Sequence, residues 1–384
     1  MEVYFDNAAT SYPKPEIVHR KIFDFMKNLG VSAGRGAYKK AFEADRLVFE
    51  TRKSLAELFN IDDLTRIVFT HNVTEAINLA LKGLLESGDH VITSSLEHNA
   101  IRRPLKELER ERGIETTFIE CDQQGNLPLA KVEAAIKENT KLIACLHASN
   151  VIGKLLPIRE LGQLANEFNL HFLVDTAQTA GVYPIDVKEM NIDLLAFTGH
   201  KGLLGPTGTG GLYIEEGIDL APLRTGGTGN NAVSEYPPAD LPNRYEAGTI
   251  NVAGIVGLGA GVDYILEKGV AEIREYELEL IDYALTELAK IEDLTIYGSL
   301  NPEQRVGVIS FNFEELINHH DLAHQLDSEY QLMVRAGLHC SPLAHRTVGS
   351  FEFEGSVRVG LSYFNTKEEI DYLIKALKEI KQAL

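Results

Sequence analysis

Three things are scarce in this chain: cysteine, positive charge and long apolar runs. Its 384 residues include three cysteines, an odd number with no metal-ligand spacing. Lys and Arg total 37 against 56 Asp and Glu, giving a net charge of −19. So acidic a chain is a poor non-specific partner for nucleic acid or an anionic membrane, although one local basic pocket would still take a small anion. Met1 to Pro15 carries acidic groups and two prolines but no apolar stretch, so it does not read as a signal peptide. The most apolar long stretch, about Val252 to Leu266, is glycine-rich and interrupted by Asp263. It is too short and too polar to span a bilayer. A cytoplasmic location is the expectation. Repeats and low-complexity segments are absent.

What is present is an alternation of short apolar strands with amphipathic helices from about residue 15 to 215. "RIVFT" precedes a helix expected over Glu75 to Glu86, stopped by Gly88. "HVITSS" precedes "NAIRRPLKELERERG", and "KLIACLHAS" precedes "IRELGQLANEFN"; "HFLVDTA" and "LLAFTG" follow. The pattern predicts an α/β fold with a mainly parallel sheet covered on both faces. Residues 222 to 251, rich in Pro, Gly and Asn, read as a long loop. One helical stretch is expected from about Val252 to Lys290. An α+β pattern then runs to the end, where Thr366 and Glu369 form a capping box for the last helix. The division predicted is a large domain over 14–259 and a smaller one over 260–384, with residues 1–13 packing near the latter.

Ligands of such sheets bind beyond the carboxyl ends of the strands, and chemistry-bearing residues collect there. Thr74 opens the helix after "RIVFT", and His98 follows "HVITSSLE". Asn150 follows "LHAS", and Asp175 and Gln178 lie in "VDTAQ". Thr198, His200 and Lys201 end "AFTGHK", with five glycines in the next ten residues. Singly, each has a plain structural reading: a turn Asp, an N-cap Thr, a satisfied His, a solvated Lys. Jointly they suit pyridoxal 5'-phosphate. That cofactor needs a lysine for its aldehyde, a carboxylate at its pyridine nitrogen and donors for a phosphate dianion. Lys201 and Asp175 fit the first two needs. Thr74 and its helix N-terminus, with Thr198 and His200, fit the third. His98 could lie flat on the ring, and Gln178 and Asn150 could bond its hydroxyl.

The motifs "DNAATSYPKP", "TEAIN", "EHNA", "SNVIG", "VDTAQ", "GHKGLLGPTGTGG", "EAGTIN" and "RAGLHC" run in order along nearly the whole chain. Together they resemble the class V aminotransferase fold group and, within it, the cysteine desulfurase and selenocysteine lyase family. The resemblance implies fold type I and a pyridoxal-phosphate homodimer. It implies Lys201 as the Schiff-base lysine, Asp175 as the pyridine partner and His98 as the stacking residue. Thr74, Thr198 and His200 would hold the phosphate, with Val73 beside them and Thr249 reaching the other subunit's phosphate. Arg358 would bind the substrate carboxylate, with Asn150, Arg335 and Ala8 in the same pocket. Cys340 matches the sulfur-accepting cysteine. Two positions depart from the family. "GRGAY" sets Tyr38 where many relatives carry His, and Asn72 stands where relatives often have Gly, a change expected to alter loop shape only.

The function expected is conversion of L-cysteine to L-alanine, with sulfur passing to Cys340 as a persulfide. Cys121 and Cys145, in strand-like runs, are expected to be inert core thiols. Cations favouring the Cys340 thiolate are expected among His339, Arg335 and His345. Alternatives are a selenocysteine lyase, an aminotransferase or other β-lyase in which Cys340 is idle, or a non-catalytic binding protein. The last would need neither Lys201 nor Asp175. A sulfur-acceptor protein is a further possible partner.

Overall fold

The computed structural model describes residues 1–34, 36–229, 233–313 and 317–384; Arg35 of "GRGAY" lies outside them. The chain opens with a short strand, β1 (Val3–Tyr4), followed by helices α1 (Glu16–Asp24) and α2 (Lys39–Phe59). Strands and helices then alternate: β2 (Ile67–Thr70), α3 (Val73–Leu84), β3 (His90–Ser94), α4 (Asn99–Arg112), β4 (Glu115–Ile119), α5 (Leu129–Ala134), β5 (Thr140–Leu146), α6 (Ile158–Glu167) and β6 (His171–Asp175). β7 (Leu194–Thr198) and β8 (Gly210–Ile214) complete a seven-stranded sheet in the order β2-β8-β7-β6-β5-β3-β4. All its pairings are parallel except those of β8 with β2 and β7.

Side chains alternate across a strand, and both faces here are apolar. Leu142 and Leu173 pack with Ile77, Leu81, Ile101 and Leu105 of α3 and α4. Ile143, Phe172, Val174 and Phe197 pack on the other face with residues of α2, α6 and α7 (Val252–Lys268). That is why the strands read as continuous hydrophobic runs rather than alternating ones.

α3 starts two residues before the expected Glu75. The Asn72 side chain accepts the Glu75 N–H at 3.0 Å and so caps the helix at its start. Asn72 therefore does more than alter loop shape. It takes one of the free donors at a helix N-terminus that was expected to be open to phosphate. The helical stretch expected over 252–290 consists of two helices, α7 and α8 (Val270–Leu288), parted by Gly269 at φ 87°.

A second, four-stranded sheet has the order β12-β13-β10-β9, with β9 (Thr295–Ile296), β10 (Val308–Asn312), β12 (Arg335–Gly337) and β13 (Ser356–Gly360). Between them come α9 (His319–Tyr330), β11 (Leu332–Met333) and α10 (Pro342–Val348); α11 (Lys367–Ala383) closes the chain with the Thr366–Glu369 capping box. β1 pairs in parallel with β11 through Val3 and Leu332. The next residues reach the large sheet, where Ser11 donates its N–H to the His200 carbonyl at 3.0 Å. Among the described residues, no helix is long and apolar enough to cross a membrane.

Candidate active site

The site lies at the carboxyl edge of the large sheet, where parallel pairing brings strand ends into line. Asp175 ends β6, paired with Leu146 of β5 on one side and Ala196 of β7 on the other. Lys201 follows β7 in a tight turn: the Leu204 N–H bonds the Lys201 carbonyl at 2.9 Å, and the Gly205 N–H bonds the Gly199 carbonyl at 2.8 Å. Gly202 is required there, because a Cβ would stand 2.5 Å from the Ala180 carbonyl oxygen. Gly210 likewise lets β8 press on the start of α3, where a Cβ would stand 2.8 Å from the Asn72 Cα. Thr198 pairs with Gly210 in register, so Thr198 and the α3 N-terminus with Val73 and Thr74 converge on one spot. Thr198 is buried, its hydroxyl 3.5 Å from the Thr209 carbonyl, and Thr74 is exposed.

Burial and charge set the protonation states. Burial lowers Lys201 to about 8, with Arg358 and Arg335 adding to the shift and Asp175 opposing it. Burial raises Asp175, held down by the Ala177 N–H at 2.9 Å and by Lys201. His98, the N-cap of α4, accepts the Ala100 N–H on Nδ1 at 3.0 Å, which leaves the proton of the neutral ring on Nε2. Burial first, then Lys201, Arg335 and Arg358, lower His98 to about 4. His200 is lowered to about 4 by burial and by Lys201 and Lys14, and its buried Nδ1 has no protein partner.

The second sheet brings the remaining groups to the same edge. Arg335 of β12 pairs with Arg358 of β13, setting two guanidinium-bearing residues side by side. Arg358 is 1 % exposed. Its Nη2 bonds Asp6 Oδ1 at 2.8 Å and its Nη1 bonds the Asn150 carbonyl at 3.0 Å, while Nε has no protein partner. The fork expected to be open for a carboxylate is thus already engaged on both terminal nitrogens. Gln178 donates from Nε2 to the Ala8 carbonyl at 3.1 Å, and both line a cavity with Lys201, Asn7, Glu277 and Ser362.

Cys340 is exposed, while Cys121 and Cys145 are buried. Its carbonyl accepts the Asn99 N–H at 2.9 Å, which ties the cysteine turn to the residue after His98. Arg358 is lowered by burial, and Asp6 and Cys340 are among the groups opposing that shift, so the thiol lies within electrostatic reach of the guanidinium. His339 and His345 do not supply the expected cations. Both are buried, His339 is pushed well below the usual histidine range and His345 to about 4, so both are neutral. Arg358, on β13, is a cation within electrostatic reach of the thiol.

Thr249 stands apart from the other candidates. It is exposed and lines a separate cleft with Thr70, His71, Gly208 and Arg224. Tyr38 is also exposed, at the N-cap position of α2. Two residues at the site went unnoticed in the sequence: Asp6, which pairs with Arg358, and Ser341, which bonds Asn150. Asp6 opens "DNAAT", an acidic residue just after an apolar pair. Ser341 carries no signal beyond its place next to Cys340.

This arrangement, a half-buried lysine and a buried aspartate at the edge of a mainly parallel sheet with an arginine from a second sheet, matches a known class. Residues 3–373 match the Aminotransferase class-V family model, and the chain belongs to that family. Within it, the chain is 36% identical over 383 residues to a probable cysteine desulfurase of Methanothermobacter thermautotrophicus, covering 98% of this chain and 94% of that protein. It is 37% identical over 391 residues to a probable cysteine desulfurase of Pyrococcus abyssi, covering 100% and 95%. The apo structure of a cysteine desulfurase from Thermococcus onnurineus superposes with a TM-score of 0.94 at 35% identity, covering 100% of this chain and 95% of that one.

Proposed function

We propose that this chain is a pyridoxal-phosphate-dependent cysteine desulfurase that converts L-cysteine to L-alanine and takes the sulfur onto Cys340. The observation that carries the reading is the bond from the Asn99 N–H to the Cys340 carbonyl at 2.9 Å. It ties the turn of the exposed cysteine to the residue after His98, and Cys340 is among the groups acting on Arg358.

The residues fit the cofactor on three counts. The Lys201 amine, lowered to about 8, is neutral near pH 7 in about a tenth of molecules, far more than an ordinary lysine, and can react with an aldehyde. The Asp175 carboxylate, buried and close enough to act on Lys201, suits a protonated pyridine. The unpartnered His200 Nδ1 and the α3 amides left free by the Asn72 cap suit a phosphate. When bound, the cofactor supplies an electrophilic carbon for the substrate amine and an electron sink for its Cα.

Lys201 then holds and returns the Cα proton as general base and acid. Arg358, through its remaining N–H groups, and Arg335 attract the substrate carboxylate. Asn150 and Ala8 line the same approach. His98, neutral, would lie against the cofactor ring when it is bound. The Cys340 thiolate attacks the substrate sulfur as the sulfur–Cβ bond breaks. The bonding pair stays with Cβ, which takes a proton and becomes the methyl group of alanine, leaving a persulfide on Cys340. The step needs no external oxidant or reductant.

The active unit in this reading is a homodimer. Phe23, Met26, Phe42 and Phe49 of the α1–α2 region are all at least half exposed, more apolar surface than a monomer usually leaves, and exposed Thr249 would act across the interface. The domain division near residue 260 and a cytoplasmic location, which free thiols suit, belong to the same reading. The test is incubation of the purified protein with L-cysteine, L-selenocysteine and common amino donors, followed by quantification of alanine, sulfide and selenide. Alanine with added sulfur on the Cys340 peptide is the expected result. Amino transfer without desulfuration would replace it with the aminotransferase reading.

A further inference from the structure

The turn that carries Cys340 is unusual. His339 and Cys340 are successive non-glycine residues with positive φ, 48° and 62°. Each is less favourable than ordinary backbone and persists only where surrounding contacts hold it. Those contacts converge on one side chain. Asn150 Nδ2 donates to the His339 carbonyl at 2.7 Å, and Asn150 Oδ1 accepts from the Ser341 hydroxyl at 2.7 Å. The residues before and after Cys340 are thus gripped by the two ends of one amide. Asn150 is 6 % exposed and Ser341 fully buried, so water does not compete. The Asn150 backbone is fixed in turn, because its carbonyl takes the Arg358 Nη1 at 3.0 Å.

We propose that Ser341 is a positioning residue for sulfur transfer. Its hydroxyl locks the Asn150 amide in the orientation that bonds the His339 carbonyl, and so holds Cys340 in the left-handed turn that aims the thiol at the substrate sulfur. The inference rests on Cys340 being the sulfur acceptor. It adds a role to the one expected for Asn150, whose amide bonds the cysteine turn at both ends and keeps a second N–H. Arg358 and Cys340 are linked through a single residue, so the group suited to the substrate carboxylate and the nucleophile share one mount.

The experiment compares the wild-type holoenzyme with Ser341→Ala by three readouts. These are KM for L-cysteine, the single-turnover rate of persulfide formation on Cys340, and the rate of Cys340 alkylation by iodoacetamide followed by peptide mass spectrometry. A small misplacement of a reacting group costs roughly 10- to 100-fold in rate, so persulfide formation falls by that factor. KM and alkylation stay within about twofold, because the thiol is as exposed and as reactive as before. Persulfide formation at the wild-type rate overturns the proposal. So does a parallel fall in alkylation, which would mean altered thiol chemistry rather than aim. If Ser341→Ala does not fold, Ser341→Gly carries the same test, with persulfide formation lowered and alkylation retained. Absence of any persulfide on wild-type Cys340 is a separate outcome that removes the desulfurase reading and this proposal with it.

Discussion

Asp175 ends a strand hydrogen-bonded on both sides, whereas Cys340 sits in a turn whose two left-handed residues belong to no strand. Both belong to one site, yet they are held by different physics. The sheet edge fixes its groups through pairing and burial, and burial is what moves their protonation states. The cysteine turn keeps its thiol exposed and fixes it through side-chain bonds from elsewhere in the chain. The three cysteines make the contrast plain. Cys145, inside β5, is raised well above the ordinary thiol range by burial, and Cys121 is raised to about 12 for the same reason. The sheet that organises Asp175 makes poor thiolates, and a sulfur nucleophile has to be placed outside it.

The largest expected effect breaks the sheet side. Lys201→Ala removes the group that carries the cofactor and the proton, and turnover falls by roughly 10⁴-fold or more. Borohydride reduction of the loaded wild type, followed by peptide mapping, labels Lys201, and label on another lysine would overturn the assignment. Cys340→Ala then separates the two regions. Alanine and sulfide production from L-cysteine is lost, while cofactor uptake, read from its visible absorbance, is unchanged. Cys145→Ala does the reverse: activity stays near wild type and stability falls by about 1–2 kcal/mol through the small cavity left in β5, measured by denaturant unfolding. Asp175→Asn lies between these extremes, binding the cofactor but turning over about 10²-fold more slowly; near-normal activity would refute its role.

The smallest effect is on stability against pH, and it reports only the buried groups. Glu277, fully buried in α8, is raised to about 8 by burial, with Arg274 partly opposing. Unfolded, it ionises near 4.5, so between about 4.5 and 8 the folded state holds more protons. Stability is therefore lost as pH rises through that window. His98, His200 and His345 are lowered to about 4 from 6.5. The stability they contribute is present above 6.5 and lost as pH falls toward 4. A melting-temperature profile should peak between these limits. Glu277→Gln should flatten its alkaline side and steepen the acid side between about 4.5 and 6.5, where Glu277 opposes the histidines.

Much of the sheet edge was legible in the sequence, because apolar runs announce strands and the residue after each run lands on the binding edge. Lys201, Asp175 and His98 were found that way. The other region was legible only as a motif. Asn150 lies 191 residues from Ser341, and Asp6 lies 352 from Arg358, so no local pattern joins either pair. His339 and His345 were misjudged because spacing does not say which way a side chain turns, and both turn inward and lose their charge. Asn72 was read as loop shape because a capping bond depends on backbone angles that composition does not encode. The break at Gly269 was hidden inside a continuous helical pattern that one positive φ interrupts.

The first fourteen residues have a consequence for dissecting this protein. They pair with β11 through Val3, brace Arg358 with Asp6, place Ala8 against Gln178, and anchor the lysine turn through Ser11 and Lys14 at the His200 carbonyl. A fragment comprising residues 14–259 would keep all seven strands and the lysine itself. It would nevertheless be catalytically blank, since the strap, the guanidinium and the thiol would all be gone. The large sheet can be copied as a scaffold, but its chemistry cannot be excised with it.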